Sequence, residues 1–113
     1  MTDCLFCKII NGDIPSNKVY EDELIFAFRD INPQAPTHIL IVPKQHIASA
    51  ADITAENSAV IAHIFEVIPQ IANKEGLDNG FRVITNSGPD ACQSVRHLHF
   101  HILGGEQMSD KMA

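Results

Sequence analysis

The sequence predicts an α+β domain with a mostly antiparallel sheet of about five strands, one long helix and a short N-terminal helix. Five segments have the alternating or the β-branched and aromatic composition of strands. Between the third and fourth of them, apolar residues recur every three or four positions, as they do in an amphipathic helix. The 113 residues correspond in length to a single domain, residues 1–113, and so small a domain would gain stability from dimerisation.

Composition narrows the class of protein further. The formal net charge is −6 and the pI is near 5.3, whereas a general nucleic-acid binder needs a face rich in Lys and Arg. No apolar run approaches the roughly 20 residues that span a bilayer, and no basic N-terminal segment precedes an apolar one. We therefore expect a cytoplasmic protein that binds neither nucleic acid nor a membrane.

The three cysteines are an odd number, which favours free thiols or a metal site over disulfides. Cys4 and Cys7 are spaced so that both sulfurs can reach one ion from a turn or a first helical turn. A redox pair with this spacing would need a βαβ setting, which the sequence lacks. A tetrahedral site needs two more ligands, for which His46 and His97 are candidates. The alternative is that the cysteines are small buried apolar residues.

The first half of the chain predicts three strands. Residues 19–21 and 24–29 form an antiparallel pair, and residues 37–43 contain the continuous apolar run of a central strand. The loop at residues 30–36 is held by two prolines, and such loops commonly carry binding groups. His38 begins the third strand, where a single histidine is usually a hydrogen-bonded core residue.

The long helix is predicted to begin near Thr54 as its N-cap, to bend at Pro69 and to stop at Gly76. Its apolar stripe consists of Val60, Ile61, Ile64, Phe65, Ile68, Ile71 and Ala72. His63 lies off this stripe, and we expect it to face the surface. The breadth of the stripe would also suit packing against a second copy of the chain.

Three of the six histidines fall close together near the C-terminus. Polar and apolar residues alternate strictly over residues 96–102, which predicts a strand that follows the one at residues 81–86. One face of this strand carries His97, His99 and His101. The opposite face, which can enter the core, carries Leu98, Phe100 and Ile102. Gly104 and Gly105 then allow the backbone to turn out of the sheet.

Such a histidine face has three interpretations. It can be a solvated surface. It can also be a metal site, but same-face residues lie about 6.5–7 Å apart, which is too far for all three to reach one ion at about 2.0–2.1 Å. It can also hold one attacking imidazole that its neighbours orient. Neutral polar residues just before it would suit an anion such as a phosphate, namely Asn86, Ser87, Gln93 and Ser94.

The segment Gln93-Ser94, followed by His97-Leu98-His99-Phe100-His101-Ile102-Leu103, resembles the motif of the histidine triad (HIT) family. Gly104-Gly105 is similar to the Hint branch of that family, the purine nucleoside phosphoramidases. Ile14-Pro15, residues 28–38 and Asn86 extend the resemblance over nearly the whole chain. The resemblance implies a HIT-like fold, a homodimer, and a purine nucleotide of the AMP or GMP type as substrate or product.

The resemblance also implies a reaction, in which a nucleoside 5′-phosphoramidate is cleaved through a nucleotidyl-histidine intermediate. His99 would attack the α-phosphorus, and His101 would donate to the phosphate oxygens. Ser94 would hold and protonate the leaving group, and His38 would support the histidines from the adjacent strand. The implied substrate-binding residues are Phe28, Asp30, Ile31, Asn86, Gln93, Ser94, Val95, His99 and His101.

Two further features follow from the resemblance. Asp30 would accept hydrogen bonds from the ribose hydroxyls, while Ile31 would pack on the base; the alternative is that Asp30 only caps its turn. The four residues Cys4, Cys7, His46 and His97 would bind a structural Zn²⁺, and the chemistry itself would need no cofactor.

Three positions depart from the pattern of the family. Ala91-Cys92 replace a usual pair of glycines, Arg96 replaces an aromatic residue, and Glu106 stands where a basic residue is expected. A different path of the loop is therefore expected, and Glu106 leaves the leaving-group preference open. Two other functions stay open, namely a dinucleoside polyphosphate hydrolase, against which Gly104-Gly105 argues, and a nucleotide-binding or scaffold protein with incidental hydrolysis.

Overall fold

The computed structural model describes residues 3–112 and contains a five-stranded antiparallel sheet. The strands are β1 (Lys18–Glu21), β2 (Ile25–Arg29), β3 (Thr37–Pro43), β4 (Phe81–Ile84) and β5 (Phe100–Gly104), and the helices are α1 (Leu5–Ile10) and α2 (Ser58–Lys74). The strand order is β1-β2-β3-β5-β4. The predicted α+β class is confirmed. Among residues 3–112, no helix combines the length and the hydropathy that crossing a bilayer requires.

Strand β3 lies at the centre of the sheet because both of its faces are apolar. Ile39 and Ile41 belong to a buried cluster that includes the core-facing side of α2. Leu40 belongs to a second cluster with Phe6 and Ile9 of α1. A helix thus covers each face of the sheet, which explains why the run at the centre of β3 does not alternate with polar residues.

The histidines of β3 and β5 lie on the α1 face of the sheet. His101 pairs directly with Leu40 across β3 and β5, and directly opposed residues share a face of the sheet. His38 lies two residues before Leu40 on β3 and therefore points to the same side. The register of the central strands thus brings His38 and His101 together beneath α1.

The last strand is shorter than predicted. β5 begins at Phe100, so His97 and His99 precede it, and the prediction that residues 96–102 form one strand is wrong. The backbone N–H of Leu98 donates to the Ile47 carbonyl at 2.6 Å, which draws this segment away from the regular ladder. Nδ1 of His97 lies next to the thiols of Cys4 and Cys7, whereas the rings of His99 and His101 pack against each other. The predicted burial of Leu98, Phe100 and Ile102 is confirmed.

Helix α2 begins later than predicted. Thr54 does not serve as its N-cap, because residues 54–57 form a turn in which the side chain of Asn57 accepts from the Thr54 N–H at 2.7 Å. The helix then starts at Ser58. Its end is as predicted, since Gly76 adopts a φ of 72° and the Leu77 N–H returns to the Ala72 carbonyl.

His63 makes a contact that the sequence pattern did not reveal. Its Nε2 lies 2.6 Å from Oδ2 of Asp22, so that α2 is joined to the turn between β1 and β2. Asp22 also accepts from Tyr20 Oη at 2.8 Å, and Glu66 lies 3.7 Å from the other ring nitrogen of His63. The hydrogen bond to Asp22 raises the pKa of His63 above its ordinary value, in spite of an opposing effect of burial.

This pair predicts a pH-dependent contribution to stability. Because the pKa of His63 is raised in the folded state, the contribution is complete below its ordinary value of 6.5 and disappears as pH rises through the folded value. We expect His63→Gln to lower the free energy of unfolding by roughly 0.5–1 kcal/mol at pH 5.5 and by less at pH 8.5. Urea denaturation of both proteins at both pH values measures this difference.

The comparison with the variant is necessary because other histidines act in the opposite sense. Burial lowers the pKa of His38 and His101, so their contribution to stability is lost as pH falls. Only the difference between the wild type and His63→Gln isolates the pair with Asp22. An equal loss at both pH values would contradict the assigned ion pair.

Candidate active site and metal site

A cavity of about 250 Å³ opens on the α1 face of the sheet. Apolar side chains of α1, β2 and β3 form much of its wall, among them Phe6, Phe28 and Leu40. Its polar groups include Asp30, Ser94, His99 and His101. Ile31 lies at its edge with its side chain 97% exposed. The cavity is mostly apolar with a few convergent polar groups, which is typical of a small-molecule site.

His99 is held in one orientation and one tautomer. Its Nδ1 lies 2.7 Å from the carbonyl oxygen of His97, and because a carbonyl only accepts, Nδ1 must carry the proton. The Nε2 of the neutral ring therefore has a free lone pair. Phe6 packs edge-on at a centroid distance of 5.0 Å. Burial lowers the pKa of His99, although the bond to the carbonyl partly opposes this, so the ring is neutral near pH 7.

A chain of hydrogen bonds sets the tautomer of His101. The Gln34 N–H donates to Nδ1 of His38 at 3.0 Å, so neutral His38 carries its proton on Nε2. That Nε2 lies 2.9 Å from Nδ1 of His101, which must then accept. The remaining proton of His101 is on Nε2, where it can be donated to a ligand. Burial, followed by the neighbouring His99 and His38, lowers the pKa of His101 to about 4.

The two carboxylate oxygens of Asp30 have different partners. Oδ1 accepts from the Asn32 N–H at 2.8 Å, as expected of a residue that caps a turn. Oδ2 lies 3.5 Å from Nε2 of His38. Asp30 also lines the cavity, so capping the turn and facing a ligand are compatible.

Gln93 has a structural task in the loop before the histidines. Its Oε1 accepts from the Gly88 N–H at 2.9 Å, and its Nε2 donates to the carbonyls of Ala48 and Val95 at 2.7 and 2.9 Å. All of its polar atoms are thus used in fastening this loop. Of the predicted binding residues, Gln93, Asn86 and Val95 do not line this cavity, although Val95 packs against the apolar cluster that includes Phe6, Phe28 and Leu40.

The loop itself keeps a backbone conformation that suits glycine. Cys92, which stands in place of a usual glycine, has a φ of 58° and lies in the left-handed region. For a residue with a Cβ atom this conformation costs about 1 kcal/mol. The replacement of glycine therefore adds local strain at the exposed Cys92.

A second cluster contains the predicted metal ligands. One ligand atom from each of Cys4, Cys7, His46 and His97 lies within 4.8 Å of the others. Nδ1 of His97 is 3.3 Å from Sγ of Cys4 and 3.5 Å from Sγ of Cys7, and Nδ1 of His46 is 3.5 Å from Sγ of Cys7. A tetrahedral zinc ion with ordinary bond lengths would place its sulfur and nitrogen ligands about 3.5 Å apart.

The tautomer of His97 also suits a metal ligand. Its Nε2 lies 2.8 Å from the carbonyl oxygen of Pro43, so Nε2 carries the proton and the lone pair on Nδ1 faces the two thiols. Burial lowers the pKa of His97 to about 4, which keeps the ring neutral. The donor set of two thiols and two imidazoles therefore fits Zn²⁺, and His97 links this cluster to His99 through its carbonyl.

Comparisons with known proteins identify the family of the chain. A family model described as the HIT domain matches residues 11–108. The chain therefore belongs to the HIT family, and it is a hydrolase of that family. The predicted family is confirmed.

Individual relatives are similar over most of their length. The chain is 43% identical over 112 residues to the purine nucleoside phosphoramidase of Escherichia coli K12, covering 98% of this chain and 94% of that protein. It is 50% identical over 107 residues to a 14 kDa zinc-binding protein of Zea mays, covering 93% and 84%. The structure of a HIT family hydrolase from Clostridium thermocellum matches with a TM-score of 0.97 and 44% identity, covering 100% and 99%.

Proposed function

We propose that the protein hydrolyses the phosphorus–nitrogen bond of purine nucleoside 5′-phosphoramidates and releases the nucleoside monophosphate. The observation that carries this proposal is the bond from Nδ1 of His99 to the His97 carbonyl, which leaves a lone pair on Nε2. A neutral imidazole with a fixed tautomer is suited to nucleophilic attack. The similarity to the phosphoramidase of Escherichia coli supports the choice of substrate.

In the first step, the Nε2 lone pair of His99 forms a bond to the α-phosphorus while the phosphorus–nitrogen bond breaks. The electron pair of that bond leaves with the amine nitrogen, which takes a proton relayed from water through the Ser94 hydroxyl. The Nε2–H of His101 donates to a phosphate oxygen and stabilises the negative charge that develops on this oxygen in the transition state. The products of this step are a free amine and a nucleotidyl group on His99.

In the second step, water attacks the same phosphorus. The bond between phosphorus and Nε2 breaks and returns its electron pair to the ring, while the surplus proton of the water passes to solvent. This releases the nucleoside 5′-monophosphate and restores His99. Asp30 would bind the ribose hydroxyls, and Phe28 and Ile31 would contact the base, as their places around the cavity allow.

The proposal is tested by measuring the rates at which the protein hydrolyses adenosine 5′-phosphoramidate and a diadenosine polyphosphate. The metal content is determined on the same samples. We expect faster turnover of the phosphoramidate. Preferential cleavage of the polyphosphate would instead identify a dinucleoside polyphosphate hydrolase. Tight nucleotide binding without turnover of either compound would favour a binding or scaffold protein.

The hydrogen bond between His38 and His101 predicts the effect of changing His38. His38→Leu removes the donor to Nδ1 of His101, so the proton of His101 is no longer confined to Nε2. We expect kcat to fall by roughly 100-fold. His38→Gln, which can place an N–H near the same point, should recover part of the loss. If circular dichroism shows that both variants are folded, equal kcat values for the two would contradict the positioning role of His38.

We also propose that the Cys4, Cys7, His46 and His97 cluster binds a structural Zn²⁺, because its donor set and distances fit that ion. Bound zinc would cross-link the start of α1 to the segments that follow β3 and precede β5. The similar Zea mays protein is named as zinc-binding. We also propose a homodimer, which would cover the side chain of Phe65 on α2, now 49% exposed. The cytoplasmic location stays a prediction.

A further inference from the structure

A second cavity, of about 600 Å³, lies next to the one that contains His99. The two cavities share Leu5 and Ser94 in their walls. The other residues around the second cavity are Asp3, Cys4, His46, Ala48, Val95 and Arg96. Ser94 thus stands at the boundary between an apolar cavity that holds the nucleophile and a wider cavity on its far side.

The charge of the second cavity depends on two residues. Cys4 and His46 belong to the proposed metal cluster, in which the two thiolates would balance the charge of a bound Zn²⁺. This leaves Arg96 as the positive side chain and Asp3 as the carboxylate among the described residues of the wall. Within residues 3–112, no salt bridge includes Arg96. Its guanidinium group is therefore available to a ligand in this cavity.

We infer that the second cavity receives the leaving group and that Arg96 makes it selective for amines that carry a negative charge, such as a carboxylate. This inference rests on the proposed phosphoramidase function. A phosphoramidate has two halves that meet at phosphorus, and the attacking and leaving atoms lie roughly in line. With the nucleoside beside Asp30 and the phosphorus between His99 and Ser94, the amine half must extend past Ser94 towards Arg96.

The size of the effect follows from the exposure of Arg96. An ion pair with an exposed side chain is weak, so the preference is expected to be about fivefold in kcat/KM. Asp3 acts against it, because it would repel the same carboxylate. The preference should also shrink as salt is added, since screening weakens interactions between exposed charges.

Two substrates of nearly equal size test the inference, namely adenosine 5′-phosphoramidates whose amines are glycine and glycinamide. The ratio of their kcat/KM values is measured for the wild type and for Arg96→Gln. Comparing the two ratios cancels the intrinsic difference in reactivity between the amines. We expect the ratio of glycine to glycinamide to fall about fivefold in Arg96→Gln and to recover in Arg96→Lys.

Control variants complete the experiment. Asp3→Asn should raise the ratio, while Lys74→Gln, which removes a positive charge from the end of α2, should keep the wild-type ratio. An unchanged ratio in Arg96→Gln would overturn the inference. Failure of the wild type to cleave unsubstituted adenosine 5′-phosphoramidate would instead overturn the proposed function, so the two failures are distinguishable.

Discussion

Replacement of His99 is expected to abolish turnover. Because Nε2 of His99 is the proposed attacking atom, His99→Ala should lower kcat for adenosine 5′-phosphoramidate by roughly 10⁴-fold or more. Nucleotide affinity should change by much less, since Asp30 and the apolar wall of the cavity are retained. Steady-state kinetics and calorimetric binding of AMP to the same samples measure the two quantities.

The variant needs controls because the ring of His99 is only 3% exposed and packs on Phe6. His99→Asn leaves a smaller void and should be equally inactive, and thermal unfolding shows whether either variant is folded. His63→Gln, which changes a histidine of α2 outside the cavity, should retain activity. Substantial turnover by a folded His99→Asn protein would contradict the assignment of the nucleophile.

Loss of the metal ligands is expected to have the largest effect on stability. The double variant Cys4→Ser, Cys7→Ser removes both thiols from the cluster and should bind no zinc, whereas the wild type should bind about one per chain. A ligand at a hundredfold excess over its dissociation constant stabilises the folded state by about 2.7 kcal/mol. For a domain of this size, the loss of that stabilisation in the double variant corresponds to a fall in Tm of about 10–20 °C.

The third cysteine offers a matched control. Cys92 is exposed and lies outside the cluster, so Cys92→Ser should keep both the zinc and the Tm of the wild type. Elemental analysis and calorimetry on the three proteins measure these outcomes. A double variant that still binds about one zinc per chain, or a wild type that binds none after expression with zinc, would contradict the proposed site.

Structural features that a clear local sequence pattern indicates were predicted well. β3 was predicted with its observed bounds, Thr37–Pro43, because burial on both faces requires a continuous apolar run. The association of Cys4 and Cys7 with distant histidines was also expected, since thiol spacing and family resemblance agreed. In each case local sequence and tertiary structure favour the same outcome.

Several features that depend on distant partners left no pattern in the sequence and were not predicted. The alternation before Phe100 looked like a continuous strand, yet His97 faces the thiols and Leu98 bonds to Ile47, so the ladder starts later. The contact of His63 with Asp22 joins residues 41 positions apart and leaves no periodic signal. The polar atoms of Gln93 were expected to face a phosphate, but they bond to the loop and to Ala48.

The most direct test of the account is to trap the intermediate. Wild-type protein is mixed with adenosine 5′-phosphoramidate, quenched in alkali within a single turnover, digested and examined by mass spectrometry. The account predicts an adenylyl group on the peptide that contains His99, located on that residue by fragmentation and absent from His99→Ala. An adduct on His101, or continued turnover with no adduct on any residue at any time, would contradict it.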